Sequence, residues 1–430
     1  MLVLKIQTPK NKPLKKREFL QSVASLVGLS NLPLDNLLAQ VAGQDAVHLS
    51  ENEAFWGEIR KKYKVTSDFT HLENGYYVLP AEEVLEGFVK HLRAINLVSS
   101  YYMRTRQFDD KMAVRKQLSE LVGCHFEELI ITRNTTESLD TVIAGIDWKA
   151  ADEVVMAAQD YGAMLDMFKQ QARRYGTINK VVSVPNHPQH DEEIVQLYEQ
   201  AITPKTRLLM VCHVINITGQ ILPIRKICDM AHRHGVEVLV DGAHAVGHID
   251  FKINDLGCDY YGSSLHKWLG TPLGAGLLYV KKEKIKNLWP LFADPNFGDE
   301  DIRKLNHTGT HPVHTDLAIA DAIAFHQKIG IGRKEARLGY LQRYWTSKVR
   351  SNPRVLLNTP ADPTRACAIA NVGIKGLKPG ELAKILFERY KIWTVAIDYA
   401  SVQGVRVTPH LYTSLDELDT FAKALKELAG

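Results

Sequence analysis

The chain has 430 residues, 45% hydrophobic and 24% charged, the composition of an ordinary soluble globular protein with length for one large domain and a smaller one. Its net charge of +4, without an arginine-rich or aromatic-interleaved tract, gives no footing for nucleic-acid binding. The five cysteines (Cys124, Cys212, Cys228, Cys258 and Cys367) have no CxxC spacing, which excludes a disulfide framework or zinc knuckle and reads as buried thiols.

Residues 1–45 form a separate segment. Lys5, Lys10, Lys12, Lys15, Lys16 and Arg17 all precede the first acid, Glu18, and the run "FLQSVASLVGLSNLPL" after them is too short and too polar to span a bilayer. "KKREFLQS" resembles a twin-arginine export leader with Lys16 in place of the first arginine of the pair, so a periplasmic location is expected. The best candidate for a cleavage site is "AQVAG", residues 39–43. The alternative is an N-terminal amphipathic helix packed on the body, with a cytoplasmic protein.

Residues 46–115 read as mostly helical, an N-terminal part of the small domain that includes "LENGYY" at 72–77. From 116 to 315 the chain alternates apolar strands ("EELIIT", "DEVVMAA", "KVVSVP", "RLLMVCHV", "VEVLV", "AGLLYV") with helical stretches. Continuous apolar runs of this length suit strands buried on both faces of a mostly parallel, mixed sheet. The fold class is therefore α/β, a three-layer αβα large domain. Residues 316–430 change pattern. Two long helices (316–330 and 333–350), the strand "ACAIANVGI", a helix "KPGELAKILFERY", the strands "IWTVAI" and "GVRVTPHLY", and a last helix opening on the capping box "SLDE" make a smaller α+β domain.

Ligands in such sheets collect beyond the carboxyl ends of the strands. At the first end, Asn134 and Glu137 have N-cap spacing, which places Thr135 and Thr136 on a first helical turn where free N–H groups favour an anion. At the second, Tyr161 can offer a ring face or simply pack. At the third, Asn216 brings a hydrogen-bonding group to a buried turn. At the fourth, "VEVLVDGAHAVG" sets Asp241 directly after an apolar strand, with His244 three residues on. A carboxylate there neutralises unless a cation faces it, from the protein or from a ligand.

The fifth end is "SSLHKWLG". Lys267 stands among Ser264, His266 and an indole, between two apolar strands. Partial desolvation beside other polar donors lowers an amine's proton affinity and makes it a nucleophile suited to a Schiff base. A phosphate cradle, a stacking ring, an acid for a pyridinium nitrogen and such a lysine are together the parts that pyridoxal 5′-phosphate (PLP) requires.

At these residues the sequence resembles the class V aminotransferase superfamily of fold-type I PLP enzymes, over about residues 70–425, and "SSLHKWLG" with "GVRVTPHLY" is most similar to its isopenicillin N epimerase-like branch. The resemblance implies that Lys267 holds the cofactor and moves the Cα proton, and that Asp241 pairs with the ring nitrogen. His244, helped by Asn216, approaches the ring oxygen. Thr135, Thr136, Ser264 and His266 bind the phosphate, and Tyr161 takes the ring-stacking place. Arg406 would fork onto the substrate α-carboxylate, with Asn74 the nearest contact in the framing loop. Thr310, in "NHTGTHPVH", would reach the phosphate of a neighbouring subunit, so a homodimer with shared sites is implied.

The resemblance thus implies an enzyme that forms an external aldimine with an α-amino acid or peptide-like amino compound and labilises its Cα–H bond. An aminotransferase-like outcome is expected, with epimerisation or elimination as alternatives. The desulfurase relatives' nucleophilic cysteine is missing from "KIWTVAIDYASVQGVRV", which argues against persulfide chemistry, and Cys367 reads as inert. The reading from a different class is a metal-dependent hydrolase using His307, His311, His314 and Asp316, whose spacing matches no tight ligand motif.

Overall fold

The computed structural model of the protein describes residues 34–430. The leader expected over 1–45 therefore lies mostly outside the described residues. Its last part is a short helix, Leu34–Gln40, in which Leu34 and Leu37 are buried, and Val41, inside the candidate cleavage site, is buried as well. These three side chains join the main hydrophobic core.

Thirteen strands form three sheets among the described residues: β1 (Thr70–His71), β2 (Leu129–Thr132), β3 (Glu153–Ala157), β4 (Ile178–Val182), β5 (Thr206–Cys212), β6 (Glu237–Asp241), β7 (Tyr260–Ser264), β8 (Gly276–Val280), β9 (Val355–Leu357), β10 (Ala370–Ile374), β11 (Ile392–Trp393), β12 (Val395–Tyr399) and β13 (Val402–Val407). The large sheet has seven strands in the order β2-β8-β7-β6-β5-β3-β4. Only β8 runs antiparallel to its neighbours. In β5, Leu208 and Met210 enter the core on one face while Leu209 and Val211 enter the core on the other. That is why these strands read as unbroken apolar runs. Each such side chain stabilises the fold by about 1.5–3 kcal/mol when fully buried.

The small domain packs β12-β13-β10-β9 against the helices Ile331–Val349, Pro379–Tyr390 and Leu415–Ala429 around its own core. The last helix carries a complete capping box, Ser414 with Glu417. One strand expectation is corrected. "IWTVAI" is not a single strand: β11 pairs parallel with β1, whereas β12 pairs antiparallel with β13. The chain changes partner at Thr394, and a turn through Ala400 and Ser401, both at positive φ, folds β12 back onto β13.

Residues 46–115 supply helices that pack against the C-terminal part, with Glu82–Val98 and Gln107–Val122 both lying on Val313–Ile329. The β1–β11 pairing ties "LENGYY" to the small domain and brings it beside β13. Beyond the carboxyl ends of β2, β3, β5, β6 and β7 lies a cleft that Arg406 of β13 also lines.

Candidate active site

The cleft has a volume of about 340 Å³ and is lined by the ends of the large sheet's strands, by Gly75 and Tyr76 and by Arg406 of β13. On one side, Asn134 Oδ1 accepts the N–H of Glu137 at 2.9 Å and starts the helix Thr135–Gly145. Ser264, at the end of β7, accepts the N–H of Thr135 at 2.9 Å and exchanges a 2.7 Å hydrogen bond with its hydroxyl. Thr136 and His266 line the cleft as well. The Nδ1 of His266 is buried without a partner, and burial together with Lys267 pushes its pKa down to about 4. Hydroxyls, a neutral imidazole and a helix N-terminus thus line one cleft, a set of groups that suits an anion.

Asp241 closes β6. Its Oδ1 accepts the N–H of Ala243 at 3.0 Å, and burial raises its pKa, opposed by that N–H and by Lys267. Gly242 comes next because no other residue fits: a Cβ there would lie 2.1 Å from the ring of Tyr261. A sequestered acid so sparsely bonded fits a cationic ring nitrogen.

Lys267, half-buried, places Nζ 3.1 Å from His244 Nε2. Desolvation lowers its pKa to about 8, with Asp241 pulling the other way and Arg406 adding to the shift. His244 is buried and held neutral, mainly by desolvation and then by Lys267. Asn216 lines the cleft with a buried, unpartnered Oδ1. Tyr161, 46% exposed, lines it at the N-cap of the helix Gly162–Tyr175.

Arg406 of β13 also lines the cleft, but not freely. Glu73 holds it on two sides, accepting from Nε at 3.0 Å and from Nη2, and Asn216 O accepts from Nη1 at 3.3 Å. Asn74 is the sequence expectation the geometry corrects. Its side chain donates to Thr408 O at 2.7 Å and accepts the Tyr412 hydroxyl, so it is spent on joining the framing loop to the segment after β13. Thr310 stands away from its own chain's cleft, in an open surface groove lined by Phe108, Lys111 and Arg303.

Sequence reasoning missed Glu73, Trp268 and Asp160. Glu73 sits within "LENGYY" and Trp268 within "SSLHKWLG", and Asp160 succeeds β3 much as Asp241 ends β6. Asp160, buried, accepts the N–H of Ala157 at 2.7 Å, and burial lifts its pKa to about 7. Cys212 lines the cleft, yet burial and the nearby acids push its thiol pKa well up, which leaves it inert.

The histidines weighed as metal ligands do not converge. His311 and Lys111 both pair with Asp316 at 3.0 Å, His307 faces Asp294 at 3.6 Å, and His314 packs on Phe88. Among the described residues no group of three or more His, Cys, Asp or Glu side chains is placed to hold a metal ion.

Known proteins resemble this chain in sequence and in fold. A curated isopenicillin N epimerase of Streptomyces clavuligerus is 29% identical over 74% of this chain and 84% of its own length. The cysteine desulfurase of Thermococcus onnurineus NA1 superposes with a TM-score of 0.75 at 21% identity, over 87% of this chain and 98% of that one. A variant of C-DES, with glycine covalently linked to its PLP cofactor, superposes with a TM-score of 0.78 at 20% identity, over 85% and 98%. The family model described as aminotransferase class-V matches residues 81–417, and the chain belongs to that family.

Proposed function

We propose that this protein is a PLP-dependent enzyme that removes and returns the α-proton of an α-amino acid or a peptide-like amino compound. The observation that carries the reading is the Lys267 amine, lowered in pKa and hydrogen-bonded to His244, in one cleft with the buried acid Asp241. When bound, the cofactor supplies an electron sink that acidifies the bond to Cα.

The chain's own residues divide the remaining work. The Thr135–Ser264 pair, Thr136 and His266 bind the phosphate at the head of the helix. Asp241 would keep a proton on the ring nitrogen, and His244 and Asn216 would hold the ring in place. Lys267 is the covalent anchor and then the proton carrier. Of the five guanidinium N–H groups of Arg406, three are engaged by Glu73 and Asn216, which leaves one on each terminal nitrogen for a carboxylate.

Return of the proton to Cα, as in epimerisation, is the branch that the likeness to isopenicillin N epimerase supports. The matching family description supports transamination as the second reading. Persulfide chemistry is not proposed: Cys367 donates to Gly219 O at 3.3 Å from a buried site. Holoprotein incubated in deuterated water with L- and D-amino acids decides between the branches. Deuterium at Cα with loss of optical purity supports epimerisation, new keto acid supports transamination, and a released β-fragment supports elimination. A protein that takes up no PLP, even in excess, overturns the reading.

We also propose a homodimer formed over the Thr310 groove. Phe108 in that groove is 70% exposed, and Leu97 and Tyr101 on adjoining helices are 85% and 69% exposed, an apolar surface of the sort that association covers. Sedimentation at rising concentration tests it, and a monomer at all concentrations refutes it.

A further inference from the structure

The Lys267–His244 contact continues inward to a third residue. His244 Nδ1 lies 3.2 Å from the indole Nε1 of Trp268, and an indole N–H can only donate. The Nδ1 of His244 must therefore be bare, and in a neutral imidazole the proton then stands on Nε2. That N–H faces Lys267 Nζ at 3.1 Å, which a neutral amine accepts.

The indole has no freedom to release the histidine. Trp268 is fully buried. His248 stacks on one of its faces, ring centroids 3.7 Å apart and 19° from parallel, and His410 stacks at 5.8 Å. His248 is itself fixed: its Nε2 accepts the N–H of Ala368 at 3.0 Å and its Nδ1 donates to His244 O at 2.8 Å. The buried Lys334 amine donates to the backbone carbonyl of Trp268. Lys267, Arg406, His248 and His266 all oppose protonation of His244, and the acid in the same cleft, Asp241, accepts from the Ala243 N–H.

We infer that Trp268 is a positioning residue: its indole N–H locks His244 in the tautomer that directs an Nε2–H at Lys267 and at the ring oxygen of the cofactor. The inference rests on the PLP reading for what that N–H acts upon, but not for the tautomer itself. A glutamine in place of His244 would supply an amide N–H with no tautomer to choose, so it makes Trp268 dispensable for this role.

Two measurements test it. In the chain labelled with 15N-histidine, at a pH above the Lys267 midpoint near 8 where its amine is neutral, the long-range 1H–15N pattern of His244, identified by its loss in His244→Gln, is expected to show Nε2 protonated and Nδ1 bare. An Nδ1–H pattern overturns the inference, whether or not the protein binds PLP. In holoprotein, Trp268→Phe is expected to move the pH midpoint of the cofactor's visible band by about half a unit or more. The same change made in a His244→Gln background is expected to leave the midpoint unmoved. Equal shifts in both backgrounds, or none in either, show that Trp268 acts by packing alone. Should Trp268→Phe fail to fold, the spectrum of the unmutated chain still decides.

Discussion

Arg406 and Glu73 form a two-pronged ion pair beside the cleft, with side chains 9% and 7% exposed. Glu73 also accepts the N–H of Tyr76 at 3.1 Å, and a Cβ on Gly75 would lie 3.0 Å from the centre of the guanidinium. The residues 73–75 thus hold the arginine by charge and by contact. A carboxylate that displaced Glu73 would strand a buried acid, so the proposed role of Arg406 would fall to the two N–H groups that Glu73 and Asn216 leave unused.

Removing either partner of this pair leaves the other buried and uncompensated. Glu73→Ala is expected to destabilise the fold by about 3–5 kcal/mol, read from urea unfolding. Arg406→Ala should in addition raise the Michaelis constant for a carboxylate-bearing substrate by roughly 10- to 100-fold. An unchanged constant contradicts the carboxylate role.

Lys267→Ala should abolish turnover and covalent capture of the cofactor while leaving the far-ultraviolet dichroism unchanged. Borohydride reduction of the holoprotein, with peptide mass analysis afterwards, is expected to find the cofactor's mass on the peptide containing Lys267. Label found elsewhere rules out the assignment.

Capture needs the amine neutral. The Lys267 pKa is lowered by burial from 10.5 to about 8, so folding favours the neutral form. The rate of PLP uptake by apoprotein is therefore expected to rise through a midpoint near 8 and to level off above it, falling about tenfold per unit below. The same shift carries a sign for stability. The penalty for burying the charged amine is full below about 8 and fades as the pH rises toward 10.5, where the unfolded chain also loses the proton. A capture midpoint near 10.5 would mean that the amine is solvated.

Asp241→Asn removes the charge proposed to keep the cofactor's ring nitrogen protonated. Cofactor binding should survive in part, and exchange of the substrate α-proton into deuterated water should slow by about a hundredfold or more. Exchange at the unmutated rate would take Asp241 out of this role.

Much of the site was readable in the chain because it is local. The N-cap at Asn134 predicts where a helix begins and so where Thr135 and Thr136 stand. The apolar run ending in Asp241 places an acid at a strand end. "SSLHKWLG" puts Ser264, His266 and Lys267 on one turn. In each case the backbone period of a single element decides which way the group faces.

Contacts between elements distant in sequence escaped. Asn74 looked free within its loop, and it is spent because Thr408 and Tyr412, more than three hundred residues later, take its hydrogen bonds. Glu73 reaches Arg406 over the same span. Trp268 is one residue from Lys267, yet its bond to His244 depends on how β6 and β7 lie together.

Strand ends, caps and the residue types that furnish an amine, an acid and an anion cradle were determined by the sequence itself, because short-range sterics and hydropathy act within a few residues. Which polar groups remain free for a ligand, and which are consumed by one another, was decided only by the tertiary structure. A buried group keeps its chemistry or gives it up according to the partner packed against it, and that partner is chosen by the whole fold.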